Sequence, residues 1–329
     1  MHKVQCPRLA QEALAAVFHP CDEELLLRIT TCLAQNGYYK EVGVMVQLNK
    51  AFWWDEQIWD AFKGVPGGGK GRTRLMYAAG QSNLKRLRFL LSRGARVNNG
   101  CINDGWTALM GASHYGHLKV VRELCERGAN VNAARTTDGF TVLMGASQKG
   151  QLEVVRKLCD KGASVNAART TDGYTSLMWA SQEGHLEVVR ELCKRGANVN
   201  ATNTDGGMTA LMLASQEGHL KEVFELCERG ANVNAAQTGY GETALMWACY
   251  GGCLKVVREL CKRGSKVNAA KTTDGSTALM WASQAGHLAV VQFLLDHGAS
   301  KIAVDFSGKS AYDIASGIDK RALQNLLFS

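Results

Sequence analysis

Three groups of residues in this 329-residue chain have types and spacings that could support chemistry. Gly64, Gly69 and Lys70 fit the G-x-x-x-x-G-K spacing of a phosphate-binding loop. Histidines recur before leucine and could hold a metal ion, and cysteines recur on predicted helices and could form disulfides. The recurring residues are His117, His185, His219 and His287, and Cys125, Cys159, Cys193, Cys227 and Cys261.

The phosphate-loop interpretation fails on three features of its surroundings. Such a loop follows a buried strand, precedes a helix and ends in a Ser or Thr hydroxyl that binds magnesium. Here Gly71 stands in place of the hydroxyl, the preceding "IWDAFK" favours helix, and a repeat array follows. We therefore predict no nucleotide cofactor and interpret residues 64–72 as a Gly-rich hinge.

Internal repetition accounts for the histidines and cysteines. The five cysteines recur every 34 residues, so they occupy one structural position in successive units. Equivalent positions on stacked helices lie about 8–10 Å apart, too far for a disulfide or for ligands that share one metal ion. We predict free core cysteines in a reducing compartment and no metal. No nucleophile, base and orienting group stand out from the repeats, so we also predict no catalysis.

The repeat pattern predicts two helices and a hairpin in each unit. Threonines recur every 34 residues from Thr73 to Thr277, each followed three residues later by Met. In one unit, Thr175 suits a helix N-cap, Gly184 ends that helix, and Gly196 suits the left-handed residue that ends the second. One such unit cannot cover its own apolar face, so the fold class is an all-α solenoid of stacked units.

These units resemble the ankyrin repeat, with its pattern T-P-L-H-x-A-A-x-x-G-H-x-x-V-V-x-x-L-L-x-x-G-A-x-V-N-A. The resemblance covers residues 73–329 as eight repeats, the last of which is a C-terminal cap. Met replaces the family's His three residues after each Thr, which substitutes apolar contact for a hydrogen-bonding group. The 34-residue period, against the family's 33, predicts a longer hairpin. The resemblance implies a protein-binding array.

Two variable columns of the repeat are candidates for partner binding. Ankyrin proteins tend to line a concave groove with the residue before each Thr and the residue after each Met. Large aromatic side chains dominate binding hot spots, although the tryptophans could instead pack as core between units. The predicted partner-binding residues are Trp106, Phe140, Tyr174, Met208, Trp179, Leu213, Trp247 and Trp281.

A basic block at the start of the array carries nearly all of the net charge of +8. It could bind an acidic partner, act in nuclear import, or be the solvated face of a capping repeat. Nucleic acid is the less favoured partner because the block lacks interleaved aromatic residues. The block consists of Lys70, Arg72, Arg74, Lys85, Arg86, Arg88, Arg93 and Arg96.

A recurring hairpin asparagine resembles the residue that asparaginyl hydroxylases modify in ankyrin proteins. The alternative is a purely structural role in the hairpin turn. These residues are Asn132, Asn166, Asn200, Asn234 and Asn268.

Residues 1–63 do not repeat and predict a small helical domain. Their apolar pattern is similar to that of an F-box, which implies docking to the adaptor subunit of a cullin-RING ubiquitin ligase. The alternative is a helical cap on the exposed end of the array. The residues predicted to contact the adaptor are Pro20, Leu25, Leu26, Ile29, Leu33 and Trp59.

The sequence therefore predicts a protein–protein interaction module without cofactors. In its sharper form this is the substrate-recognition subunit of a ubiquitin ligase. The alternative is a plain ankyrin scaffold or a nuclear factor that uses the basic block. With 46% hydrophobic residues and no apolar run near the ~20 residues that cross a bilayer, we expect a soluble protein of the cytoplasm, the nucleus or both.

Overall fold

The computed structural model describes residues 72–101, 103–315 and 320–328. The predicted N-terminal domain, Lys70 and all of the hinge except Arg72 lie outside these residues. The chain divides into two compact units, residues 1–137 and 138–329. In both, the described residues are helical and contain only isolated β-bridges, as the all-α prediction requires.

Short helices that follow the recurring threonine, called inner helices, alternate in each unit with longer ones, called outer helices. The first unit contains α1 (Arg74–Gly80), α2 (Leu84–Ser92), α3 (Ala108–His114) and α4 (Leu118–Glu126). The second unit contains α5 (Val142–Gln148), α6 (Leu152–Asp160), α7 (Ser176–Gln182), α8 (Leu186–Lys194), α9 (Ala210–Gln216), α10 (Leu220–Glu228), α11 (Ala244–Tyr250), α12 (Leu254–Lys262), α13 (Ala278–Ala285), α14 (Leu288–Asp296), α15 (Ala311–Ile314) and α16 (Lys320–Phe328).

The recurring threonine caps each inner helix, as predicted. The Thr175 hydroxyl accepts a hydrogen bond from the Met178 backbone N–H at 3.3 Å. The recurring Met does more than make apolar contact, because in four repeats its sulfur accepts a hydrogen bond from the threonine N–H. In the α5 repeat this bond joins Thr141 N to Met144 Sδ at 3.4 Å. Two free N–H groups at the helix start are thereby satisfied reciprocally.

The outer helices bury one apolar stripe each. In α8, Val188, Val189 and Leu192 are buried, and the chain leaves the helix through Gly196 at φ +85°. The recurring cysteines border this stripe as free thiols. Burial raises the pKa of both Cys159 and Cys193 to about 11. These thiols therefore stay protonated at neutral pH and are poor nucleophiles.

The recurring histidine ties its own repeat to the one before it. His185 Nε2 lies 3.0 Å from the Gln148 carbonyl oxygen, and His219 Nε2 lies 3.0 Å from that of Gln182. Two full repeats of the second unit lack histidine at this position. One carries Gln151, and the other carries Cys253, whose sulfur lies 3.9 Å from the Gln216 oxygen. The repeat that starts at α11 therefore lacks the short histidine–carbonyl hydrogen bond, or brace, to the preceding repeat.

We expect Cys253→His to stabilise the chain. The imidazole should replace a weak sulfur contact with a hydrogen bond and raise the free energy of unfolding by about 1 kcal/mol. Urea unfolding measures the change. His219→Cys is the matched reverse variant and should lower stability by a similar amount. Equal stability of Cys253→His and wild type would contradict the proposed role of the brace.

Buried glutamates link the outer helices. The Glu191 carboxylate, 8% exposed, accepts hydrogen bonds from Arg195 Nε at 2.8 Å and from Arg156 Nε at 3.4 Å. The Arg195 and Arg156 hydrogen bonds outweigh desolvation and hold the pKa of Glu191 below its usual value. Each such glutamate therefore joins its own helix end to the preceding outer helix.

This arrangement predicts an acid-dependent loss of stability. A carboxylate with a lowered folded-state pKa stabilises the fold above its unfolded pKa, and the contribution disappears as the pH falls through the folded pKa. At neutral pH we expect Glu191→Gln to cost about 1 kcal/mol, because both arginines are partly exposed. The difference from wild type should shrink below pH ~4. A difference that stays constant between pH 7 and pH 3, measured by urea unfolding, would contradict the ion-pair account.

Candidate protein-binding surface

The hairpins place side chains next to the N-terminus of each inner helix. Before α7, an isolated bridge between Ala168 and Thr175 closes the hairpin. Neighbouring hairpins are joined at their tips, since Thr170 N–H donates to the Asp138 carbonyl at 2.9 Å and Thr204 N–H donates to that of Asp172 at 2.8 Å. Successive hairpins are thus held side by side.

A first aromatic and charged group, the Arg169 cluster, consists of Phe140, Arg169, Asp172, Tyr174 and Trp179. The Tyr174 and Trp179 ring centroids lie 5.1 Å apart, and those of Phe140 and Trp179 lie 6.1 Å apart. The Arg169 guanidinium carbon lies 5.2 Å from the Trp179 ring and 5.8 Å from the Tyr174 ring. This is the geometry of a cation–π contact with two aromatic faces.

A carboxylate fixes the guanidinium of the Arg169 cluster in place. Arg169 forms a two-point ion pair with Asp172, whose Nε–Oδ1 distance is 2.8 Å. That hydrogen bond holds the pKa of Asp172 below its usual value, and desolvation raises the pKa of Tyr174. This ion pair is mostly buried, and Asp138 Oδ2 also lies 3.9 Å from the guanidinium. Arg169 is therefore held against the Tyr174 and Trp179 rings.

A second group, the Lys271 cluster, consists of Glu242, Trp247, Tyr250, Lys271 and Trp281. The Trp247 and Trp281 rings meet edge to face at 5.4 Å, and Tyr250 lies 5.9 Å from Trp281. Lys271 Nζ lies 5.7 Å from the Trp281 ring centroid and 3.1 Å from Glu242 Oε1. A cation again rests on a tryptophan beside a carboxylate.

Asp274 extends the charges of the Lys271 cluster. Its Oδ2 lies 3.4 Å from Lys271 Nζ, and its Oδ1 accepts a 2.6 Å hydrogen bond from the Ser276 hydroxyl. Desolvation opposes the charged form of Lys271, but its bonds to Glu242 and Asp274 outweigh that effect and raise its pKa. Lys271 is therefore charged at neutral pH.

An open cavity of about 430 Å³ lies against the Lys271 cluster. Its lining includes Trp247, Tyr250, Lys271 and Trp281 from the cluster, together with Asp305 from the next hairpin. Cavities of several hundred Å³ that combine aromatic walls with fixed polar groups suit a ligand side chain.

Two of the tryptophans keep a buried indole N–H without a hydrogen-bond acceptor in the described residues. These are Trp179 and Trp247, whereas Trp281 Nε1 donates to Ser276 Oγ at 3.0 Å. An unpaired buried donor costs about 1–3 kcal/mol. Phenylalanine would avoid that cost, so stability alone does not explain tryptophan at these two positions.

The predicted partner-binding residues differ in their accessibility. Phe140 and Leu213 are buried, at 7% and 2% exposure, so they contribute packing and little accessible surface. The others are half-buried, so each packs on its neighbours and keeps one part accessible. These are Trp106 in the first unit and Tyr174, Met208, Trp179, Trp247 and Trp281 in the second.

Sequence reasoning missed the charged partners of the aromatic residues. Arg169 and Lys271 each lie three residues before an aspartate, in "RTTDG" and "KTTDG". The same pair of opposite charges also occurs at Arg135 and Asp138, so only its combination with a tryptophan after the following Met distinguishes the two clusters in the sequence. The distance from each cation to the tryptophan rings depends on the hairpin fold and has no counterpart in local sequence.

The basic block is mostly exposed in the first unit. On α2, Lys85, Arg86 and Arg88 are exposed, and Arg88 Nε lies 2.7 Å from Glu123 Oε2. Arg74 is half-buried, and desolvation followed by the charge of Arg86 lowers its pKa. The remaining described members, Arg72, Arg93 and Arg96, are also exposed. Crowded like charges of this kind favour an acidic partner.

The recurring asparagines link hairpins to one another. Asn166 donates from Nδ2 to the Gly196 carbonyl at 3.0 Å and accepts at Oδ1 from Asn198 N–H at 2.7 Å. Asn200, Asn234 and Asn268 make the same pair of bonds to the following repeat. The asparagine thus has a structural role, and its hydroxylation stays a prediction.

The described part of the chain contains neither a metal-binding cluster nor a membrane-spanning helix. No group of three or more His, Cys, Asp or Glu side chains there has the geometry to hold a metal ion. No described helix has both the length and the apolar composition needed to cross a membrane.

The fold and this surface define a repeat scaffold for protein–protein interaction. Family models described as ankyrin repeats match residues 34–135, 132–203, 168–237, 199–271 and 267–315. The chain belongs to the ankyrin-repeat family. The first of these matches begins inside the segment predicted as the N-terminal domain.

Solved structures agree with this assignment. The human ASB11 ankyrin repeat domain has a TM-score of 0.63 and 27% sequence identity, over 70% of this chain and 99% of that one. No curated protein matches the chain significantly. Because 586 solved chains match, the fold is shared widely and does not by itself identify a partner.

Proposed function

We propose that the chain binds an extended segment of a partner protein on the second unit, through the inner helices and hairpin bases. The observation that carries this proposal is the pair of aromatic clusters, each holding a cation on a tryptophan beside a carboxylate. Rigid aromatic anchors with fixed charges are typical of binding hot spots. The unpaired indole N–H groups of Trp179 and Trp247 support it, because they lower stability without a structural benefit.

Selection from a random displayed peptide library tests the proposal. The full chain should enrich related peptides, and synthetic copies should bind it in fluorescence anisotropy. Trp179→Ala should weaken binding, whereas Tyr115→Ala, an exposed aromatic of the first unit, is the matched control and should not. Peptides that bind both variants as they bind wild type would place the binding surface elsewhere.

We propose further that the partner is a ubiquitin-ligase substrate and that residues 20–60 dock the ligase's adaptor subunit. Support comes from the F-box resemblance of Leu25, Leu26, Ile29 and Leu33. Co-purification of the full chain with the adaptor subunit tests it, with the double variant Leu25→Ala and Ile29→Ala as the comparison. Capture by wild type alone would support the ligase role.

Failure of wild type to capture the adaptor would favour the plain scaffold instead. The ankyrin match from residue 34 supports that rival, in which the segment caps the array. A scaffold that uses the basic block would bind its partner with a steep loss of affinity at high salt, because its exposed lysines and arginines are screened. Lys85→Ala and Arg86→Ala would then weaken binding more than Trp179→Ala does.

A further inference from the structure

We propose that the cavity beside the Lys271 cluster takes an arginine side chain of the partner segment. This inference rests on the proposed function and assigns the chemistry of one subsite within it. The cavity, its aromatic walls and its excess of carboxylates all lie in the second unit.

The aromatic walls suit a flat cation. Trp247 and Trp281 stand edge to face, and Tyr250, which is 52% exposed, borders the same cavity. A guanidinium is planar, weakly hydrated and stacks on aromatic faces, whereas an ammonium does so less well. The volume of about 430 Å³ leaves room for a long side chain together with part of its backbone.

The charges of the cavity favour a cation over an anion. Lys271 is its lining cation, but Glu242 and Asp274 already hold that ammonium, at 3.1 and 3.4 Å. A second aspartate, Asp305, also lines the cavity. The charge of Lys309 acts on it, but no cation of the described residues lies within ion-pair distance of its carboxylate. The lining aspartates Asp274 and Asp305 outnumber the lining cation Lys271, whose ammonium also pairs with Glu242. The lining therefore carries an excess of negative charge, in a chain whose net charge is +8.

One carboxylate oxygen of Asp305, Oδ2, is available to accept a hydrogen bond. The backbone N–H groups of Ser307 and Lys309 and the Ser307 hydroxyl all donate to Oδ1, at 2.7–2.9 Å. These three bonds fix the carboxylate, and Oδ2 accepts no hydrogen bond from the described part of the chain. A guanidinium on the indole faces can donate to this oxygen and form a charge-assisted hydrogen bond.

A charge-swap experiment tests the subsite. A peptide selected on the full chain is synthesised with its most enriched basic residue as arginine, as lysine and as citrulline, which keeps the shape of arginine without its charge. We expect citrulline to lower the affinity of the wild-type chain about tenfold or more, and lysine to lower it by less. In Asp305→Asn the difference between the arginine and citrulline peptides should largely disappear. Asp205→Asn removes the same charge from an exposed hairpin residue and should preserve the difference.

The outcomes separate this inference from the proposed function. Selected peptides without arginine enrichment, or equal binding of arginine and citrulline peptides, would overturn the arginine subsite and leave the binding surface intact. Tighter binding of the lysine peptide would overturn it as well. If Asp305→Asn weakened both peptides equally, Asp305 would not contact the cation and the assignment would be wrong. A chain that selects no peptide at all would overturn both proposals.

Discussion

Trp281→Ala is expected to lower the affinity for selected peptides by at least about 30-fold, the effect of removing a hot-spot residue worth ~2 kcal/mol. Trp281 contacts Trp247, Tyr250 and Lys271. Its loss therefore removes a wall of the cavity and the aromatic ring that Lys271 contacts. Fluorescence anisotropy with a labelled peptide measures the change.

Trp281→Ala is also expected to lower stability, and a separate measurement distinguishes that effect from weaker binding. The indole of Trp281 is half-buried, so its removal also costs packing, and a thermal melt should still show a cooperative transition. Trp247→Phe is the companion variant. It removes an unpaired buried N–H, so we expect unchanged or higher stability together with weaker binding. An affinity within twofold of wild type in both variants would contradict the role of the Lys271 cluster.

Gly173→Ala is expected to destabilise the chain by about 2–4 kcal/mol, the sum of left-handed backbone strain and a steric clash. Gly173 follows Asp172 of the Arg169 cluster at φ +75°. A Cβ built there would lie 2.7 Å from the Thr204 backbone nitrogen. That nitrogen donates to the Asp172 carbonyl at 2.8 Å, so the clash would break the bond that joins the two hairpins.

Gly196→Ala is the matched control for the hairpin clash. Gly196 has φ +85°, but a Cβ added there meets no atom within 4 Å. It should therefore cost only the left-handed strain, about 1 kcal/mol. Urea unfolding of both variants measures the difference. Equal losses of stability would contradict close hairpin packing as the feature that holds the Arg169 cluster in place.

Most of the fold could be predicted from sequence because its signals are local and repeated. Thr175 as a cap and Gly196 as a left-handed stop each depend on a few neighbouring residues, and the repeats present the same signals again. The hydrogen bond that Thr141 N–H donates to the Met144 sulfur was not predicted, because methionine is ordinarily interpreted as an apolar side chain.

The geometry of the candidate binding surface could be predicted only in part. Aromatic residues stand out in variable columns, so Trp179, Trp247 and Trp281 could be proposed from sequence. The burial of their side chains could not be predicted, because burial of an inner-helix residue depends on how the neighbouring repeats pack, as with Leu213. The cavity also needs Asp305, whose free oxygen follows from the turn that occupies the other one.

The central claim is that the second unit binds its partner through the two aromatic clusters. Indole N–H signals in ¹H–¹⁵N NMR spectra of the full chain test it most directly, with each signal assigned from its Trp→Phe variant. Saturation with a selected arginine peptide should shift the signals of Trp247 and Trp281, and that of Trp179 where the segment reaches the Arg169 cluster. Saturation that leaves all three signals unchanged would contradict the claim.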